Sequence, residues 1–296
     1  MTVGCAAAPA DTDAGATSLA LLPFLGAGQT HLIGRYRDTV SAGIRWLLDH
    51  QEADGDLRID APYQAGMYVH GQATIVLSEA LAMTQDEALR EPTQRAVDFI
   101  IAAQHRRGGW RYKPNEAGDT SVLGWQLMAL QSARAAGLDV PTETLMLAND
   151  YLDSVQSRGG SRYSYQGRSG PTHAMTAEAL LCRVYLGWKE DSSALNNGIQ
   201  FLLDQPPDRD KPNYYYWYYA TQTMHHVGGR AWAEWNSRMR DVLVSRQAVR
   251  GHEAGSWTPH GGHSHQGGRV YVTSLAICCL EVYYRHAPIF RQINLN

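Results

Sequence analysis

The side chains of this chain best suited to chemistry sit in three places. Four carboxylates, Asp56, Glu116, Asp119 and Glu253, lie in Gly-bearing stretches between apolar segments. Two such groups on one rim can work on a glycoside, one protonating the leaving oxygen while the other activates water. A second grouping is His252, Glu253, His260, His263 and His265. Its His-x-x-His-x-His run, His260, His263 and His265, offers imidazole nitrogens to a zinc ion, and no other cofactor is expected.

The third is Tyr214-Tyr215-Tyr216-Trp217-Tyr218-Tyr219, with His70, Trp125, His173 and Tyr271 at comparable places elsewhere. Aromatic faces in a dry cavity hold an apolar ligand and stabilise a cation by ~0.5–2 kcal/mol each. A helix turns through 100° per residue, so about two or three of the six consecutive rings can share one cavity. The expected lining is His70, Trp125, His173, Tyr215, Trp217, Tyr218 and Tyr271.

A repeat of about fifty residues must position these groups. An aromatic-aliphatic pair precedes a glutamine at Trp46-Leu47 with Gln51, Phe99-Ile100 with Gln104, Tyr151-Leu152 with Gln156 and Phe201-Leu202 with Gln205. Val242-Leu243 with Gln247 is a weaker copy. Residues 38–51, 90–104 and 145–156 mix apolar and charged positions with helical period, the mark of helices with one wet face. Stretches such as 121–130 and 175–182 carry almost no charge and suit helices covered on nearly every side. Pairs of this kind must stack to bury their inner members, and six inner members can close a ring. The expected architecture is all-α: one α/α toroid over 1–296, with about six inner and five outer helices. Its first outer helix is missing, which reads as a truncated or naturally short chain.

Asp13, Asp119 and Thr172 stand where they can cap inner helices, and Pro92 and Pro141 stand at the first turns of outer ones. Residues 1–12 are expected to be poorly ordered, and 248–268 to form a long His- and Gly-rich loop. In such a ring every outer-to-inner loop emerges on one face, together with the N-termini of the inner helices. Free N–H groups there favour an anion, and Arg111, Arg162 and Arg269 are the expected anion-binding side chains, unless neighbouring acids already pair with them.

A net charge of -3, from 26 basic and 29 acidic residues, lacks the basic excess that nucleic acid demands. No apolar run reaches the eighteen or so residues of a membrane span, and no signal peptide is visible, so the cytoplasm is the default address. The four cysteines form neither a disulfide framework nor a paired metal knuckle. No particular protein partner is indicated.

Gln104-His105-Arg106-Arg107-Gly108-Gly109-Trp110 resembles the Gln-x-x-x-Gly-x-Trp repeat of squalene-hopene cyclases, and 51–57 and 247–257 resemble degenerate copies. The chain is similar over its whole length to the terpenoid-cyclase and protein-prenyltransferase toroids, and most similar to bacterial prenyltransferase and squalene oxidase repeat proteins. That resemblance implies an isoprenoid-like hydrophobic ligand in a central aromatic cavity, with Asp119 and Glu116 as catalytic carboxyls. The acid motif Asp-x-Asp-Asp is incomplete, because Gly118 takes the place of the proton donor. Prenyltransferase zinc ligands do not carry over either, since Val272 follows Tyr271 where that family has His. Two rival readings remain: a non-catalytic scaffold presenting its loops to a protein or glycan, and a carbohydrate-active α/α barrel.

Overall fold

The structure, a computed structural model, describes residues 12–167, 169–260 and 264–285, the side chains at 265, 266 and 285 apart. Among them twelve helices follow in order: α1 (Asp13–Gly26), α2 (Arg37–Asp49), α3 (Gly66–Thr84), α4 (Arg90–Ala102), α5 (Thr120–Ala135) and α6 (Thr142–Val155), then α7 (His173–Tyr185), α8 (Ser193–Leu203), α9 (Tyr214–Val227), α10 (Gly229–Arg246), α11 (Ser264–Leu280) and α12 (Val282–Arg285). The uncharged segments become the inner ring. Every residue of α3 from Gly66 to Leu81 is buried, as is every residue of α5 from Thr120 to Ala133. In α2 only Val40, Ile44 and Leu47 are buried, and in α10 only Trp235, Met239 and Leu243, each a single stripe at helical spacing.

Each inner helix packs on the next, α1 on α3, then α5, α7, α9 and α11, and α11 returns to α1, so the ring closes. The helices α2, α4, α6, α8 and α10 form the outer layer. The chain is therefore the all-α, six-inner, five-outer α/α toroid that the charge pattern predicts. Residues 1–11, where poor order is expected, lie outside the described residues. The long His- and Gly-rich loop is shorter than expected, because α10 runs to Arg246 and α11 starts at Ser264 with a kink at Gly268.

Helix starts follow capping chemistry. Asp119 Oδ1 accepts from the Val122 N–H at 2.8 Å, Thr172 Oγ1 from Met175 at 3.1 Å and Asn213 Oδ1 from Tyr216 at 3.1 Å. At α1 the cap is Thr12 rather than Asp13, with its hydroxyl 2.9 Å from the Gly15 nitrogen.

The repeated glutamine has a packing task. Gln51 Nε2 donates to Gly55 O at 3.3 Å and to Pro92 O in α4 at 2.9 Å. Gln104 Nε2 does the same to Gly108 O at 2.9 Å and to Thr144 O in α6 at 3.0 Å. Each glutamine thus ties its own loop to the next outer helix. Trp110 Nε1 donates back to Ile100 O at 2.7 Å, and Trp257 Nε1 to Leu243 O at 2.8 Å. Gln247 keeps only the bond within its loop, 3.0 Å to Gly255 O. Gln104→Ala should leave two half-buried carbonyls short of a donor and cost about 1–3 kcal/mol in a urea denaturation series. A loss within error of zero would remove the staple role.

Candidate functional site

The outer-to-inner loops and the N-termini of the inner helices share one face, and there α5 begins at Asp119. This carboxyl is fully buried. Its Oδ1 caps the helix, and its Oδ2 accepts from Tyr165 Oη at 2.9 Å. Tyr165 in turn shares a hydrogen bond of 2.7 Å with Tyr112 Oη. Burial raises the Asp119 pKa to about 7, against the opposing pull of the Val122 N–H, the Tyr165 hydroxyl and Arg111.

Arg111 joins this buried acid to an accessible one. Its Nε lies 3.7 Å from Asp119 Oδ2 and its Nη1 lies 3.8 Å from Glu116 Oε1. One guanidinium between them keeps the two carboxyls less than about 10 Å apart, within the span used by paired carboxyls in glycoside hydrolysis. Glu116 also accepts from Tyr63 Oη, at 2.8 and 3.0 Å. The Tyr63 ring is 54% exposed, so it offers a face to solvent at this edge. Tyr63 packs edge-on to Tyr112, which lies beside Tyr68, making an aromatic row from Glu116 towards the ring centre.

At the end of that row stands a carboxyl that the reading of the sequence passes over. Glu178 of α7 is fully buried and accepts from Tyr215 Oη at 2.8 Å. Tyr215 lies 2.5 Å from Ser121 Oγ, which accepts from Tyr68 Oη at 2.9 Å. Four inner helices, α3, α5, α7 and α9, thus meet through one polar chain. A lone acid inside the otherwise apolar Met175-Thr176-Ala177-Glu178-Ala179-Leu180-Leu181 was the available signal.

The expected cavity lining is not brought together. His70 turns outward, its Nε2 3.0 Å from Ala96 O of α4 and its Nδ1 accepting from the Leu57 N–H, with burial lowering its pKa to about 4. His173 stacks on Phe201 of α8 with ring centroids 3.9 Å apart. Trp217 lies beside a groove with Arg238, Asp241 and Val242 of α10. These three occupy the outer side of their helices because the 100° step carries neighbouring positions to different faces. Trp125 and Tyr218 do stack, at 5.7 Å, but both are buried in packing, as is Tyr271. Of the seven, Tyr215 joins the polar chain described above.

The three arginines do not converge either. Arg162 lies 3.9 Å from the Phe201 ring and donates to the carbonyls of Ser161 and Asn197. Arg269 donates to Ser256 Oγ and, at 2.7 Å, to Glu253 Oε1. Asp56 is likewise taken, by Arg58 at 2.7 Å. Neighbouring groups satisfy these charges, and Arg111 alone bridges the two carboxyls of the site. Of the expected zinc ligands, His263 and the His265 side chain lie outside the described residues. Among the described residues no group of three or more His, Cys, Asp or Glu could hold a metal.

Gly118 marks the departure from cyclase chemistry in physical terms. A Cβ there would lie 2.6 Å from the Gly109 Cα and 2.9 Å from the Tyr151 ring, so the position of the cyclase acid has no room for a side chain. Among the described residues no helix is long and apolar enough to cross a membrane.

No protein-family model matches the chain, and no curated protein matches it in sequence. Solved structures do share its ring. An alpha-amylase from Clostridium perfringens superposes with a TM-score of 0.64 at 9% identity, covering 91% of this chain and 86% of that one. Cellobiose 2-epimerase from Bacillus thermoamylovorans gives 0.62 at 11% identity over 90% and 87%. A GH76 alpha-mannanase from Bacteroides thetaiotaomicron gives 0.61 at 10% identity over 94% and 86%. These neighbours correct the terpenoid-cyclase and prenyltransferase resemblance: of the positions that carried it, Gln51 and Gln104 tie loops to the next outer helix, Trp110 and Trp257 pin loops to α4 and α10, and the toroid is one that carbohydrate-active proteins share.

Proposed function

We propose that this chain is a carbohydrate-active α/α-barrel protein whose sugar ligand lies over Tyr63, Arg111 and Glu116 on the face where the inner helices begin. The observation that carries this reading is the bridge of Arg111 between accessible Glu116 and buried Asp119, beside an exposed tyrosine ring. An exposed aromatic face stacks on the apolar face of a pyranose, and a carboxylate held by a guanidinium and a phenol takes up hydroxyl protons with fixed geometry. In this reading Glu116 is the group that meets ligand or water. Asp119, out of reach of solvent, acts through Arg111 and the start of α5, as a positioning residue. The fold likeness to an alpha-amylase, an alpha-mannanase and a cellobiose 2-epimerase supports the ligand class.

The test is titration of the purified protein with α- and β-linked gluco- and manno-oligosaccharides, together with product analysis. Tyr63→Ala is expected to weaken binding by at least about tenfold, ~1.4 kcal/mol. Glu116→Gln is expected to keep most of the affinity and to lose about a hundredfold or more in turnover. Wild-type protein that neither binds nor alters any of these sugars at millimolar concentration would sink the reading.

A further inference from the structure

Glu178 is a fully buried acid that neither the helix packing nor the pair Glu116 and Asp119 requires. The structure gives it a built place. At Gly124 of α5 a Cβ would come within 2.1 Å of Glu178 Oε1, so the facing helix lacks a side chain where the carboxyl lies. Its Oε2 accepts from the Tyr215 hydroxyl, and the Tyr219 hydroxyl approaches the same carboxyl. Among the described residues no cation offsets the charge; the surrounding titratable groups are Asp119 at the start of α5, Tyr215 and Tyr219 of α9, Tyr68 of α3 and Cys182 on its own helix. Burial, first of all, raises the pKa of a carboxyl so placed well above the ordinary carboxylate range.

Tyr215, the partner of this acid, stands in the first turn of α9, at the end where the inner helices begin. It is half-buried, whereas Glu178 is not exposed at all. The Ser121 hydroxyl, itself held by Tyr68, shares a hydrogen bond with the Tyr215 oxygen and so fixes its position beside the carboxyl. With Glu178 ionised, Tyr215 donates to it. With Glu178 protonated, Tyr215 can accept from Glu178 and Ser121 together, and its own hydrogen is then released towards the ligand.

We infer that Glu178 is the stored proton of the sugar site and that Tyr215 delivers it to the departing oxygen of a glycoside. The inference rests on the carbohydrate reading above. As the glycosidic C–O bond breaks, Tyr215 gives its hydroxyl proton to the leaving oxygen and takes the proton of Glu178, which becomes a carboxylate. Water loses a proton to Glu116 and adds to the anomeric carbon. After the products leave, Glu178 regains a proton from solvent through Tyr215, and Glu116 releases its own. The net reaction is glycoside plus water giving two hydroxyl compounds. Tyr215 is the group that touches substrate, and Glu178 acts through it.

Two measurements on the full chain test this. The first is the infrared difference spectrum of wild type against Glu178→Gln at neutral pH. It should show a protonated-carboxyl stretch that the variant lacks and that moves in Tyr215→Phe, which removes the hydroxyl but keeps the ring. Absence of that band means that Glu178 is ionised, and overturns the inference whatever the sugar assays give. The second is turnover of the oligosaccharide found by the titrations above. Both variants should bind it within about threefold of wild type, lose about a hundredfold or more in kcat, and lose the alkaline limb of the pH profile. Wild-type turnover in Glu178→Gln overturns the proposal, as does a loss confined to affinity. Failure of wild type to bind or cleave any sugar instead sinks the carbohydrate reading and the delivery step with it, while the infrared band separately reports whether the proton is stored.

Discussion

Gly108→Ala is expected to destabilise the chain by about 3–5 kcal/mol, the largest effect of any single methyl group considered for this molecule. Gly108 has φ +86°, and a Cβ there would lie 1.7 Å from Leu147 O and 2.3 Å from Leu147 C. Both atoms belong to the backbone of α6. Relief therefore requires α6 to move away from α5, which would open the outer layer. Gly137→Ala is the proper comparison, because φ there is +72° but nothing lies within 4 Å of the added Cβ. It should cost only the left-handed conformation, about 1–2 kcal/mol. Urea denaturation of both variants separates contact from conformation. Equal losses would show that the loop does not press on α6. Gly55 repeats the arrangement one unit earlier, with φ +92° and Arg95 O of α4 at 2.1 Å, so Gly55→Ala should follow Gly108→Ala.

These glycines, four residues after Gln51 and Gln104, show why the fold was legible. The repeat unites a glutamine that reaches the next outer helix with a glycine that lets the loop lie against it. Both features survive as letters in the sequence. The inner and outer roles survive as charge, since α3 and α5 admit almost none and α2 keeps a single apolar stripe. Closure of the ring follows from having six such segments with no other surface to bury them. The fourth glutamine is a warning. Gln205 follows Phe201-Leu202 one residue sooner than the other glutamines follow their pairs, and the stretch after it, Pro206-Pro207-Asp208-Arg209-Asp210-Lys211, contains no glycine and becomes an open groove beside α10 instead of a staple.

The site was legible only in part, for reasons of orientation. Glu116, Asp119 and Arg111 could be found because they are polar groups close together in one loop, and their chain neighbourhood brings them into contact. His70, His173 and Trp217 were assigned to the centre on their distance from helix starts, and that distance says nothing of which side of the helix a residue takes. The partners of the two histidines, Ala96 and Phe201, lie 26 and 28 residues away in sequence, and no local pattern reports them. The same blindness hid Glu178. It meets Tyr215 across two helices, a pairing separated by 37 residues. The terpenoid-cyclase resemblance failed for a related reason: staples between helices are shared packing hardware, and their presence carries no chemistry.

The pH dependence of Asp119→Asn decides between the two roles this carboxyl can have. A plain helix cap, with an N–H, a tyrosine hydroxyl and a nearby guanidinium all favouring its charged form, has a depressed pKa. Such a group stabilises the fold above its unfolded pKa and loses that contribution as pH falls. Burial predicts the opposite. With the folded pKa raised from 3.8 to about 7, the unfolded chain releases the proton first, so the fold is progressively penalised as pH rises from about 4 to about 7 and the penalty is constant above that. A shift of this size corresponds to a few kcal/mol at order of magnitude. His70 and His226, both lowered to about 4 by burial, act in the reverse sense, since the unfolded chain takes up protons on them below about pH 6.5 while the fold does not. The wild-type profile therefore mixes opposing slopes, but the difference between wild type and Asp119→Asn cancels the histidines. That difference should move in favour of the asparagine variant across pH 4–7 and then level off. A flat or reversed difference would make Asp119 a cap and nothing more, leaving Glu116 without a buried partner that exchanges protons near neutrality.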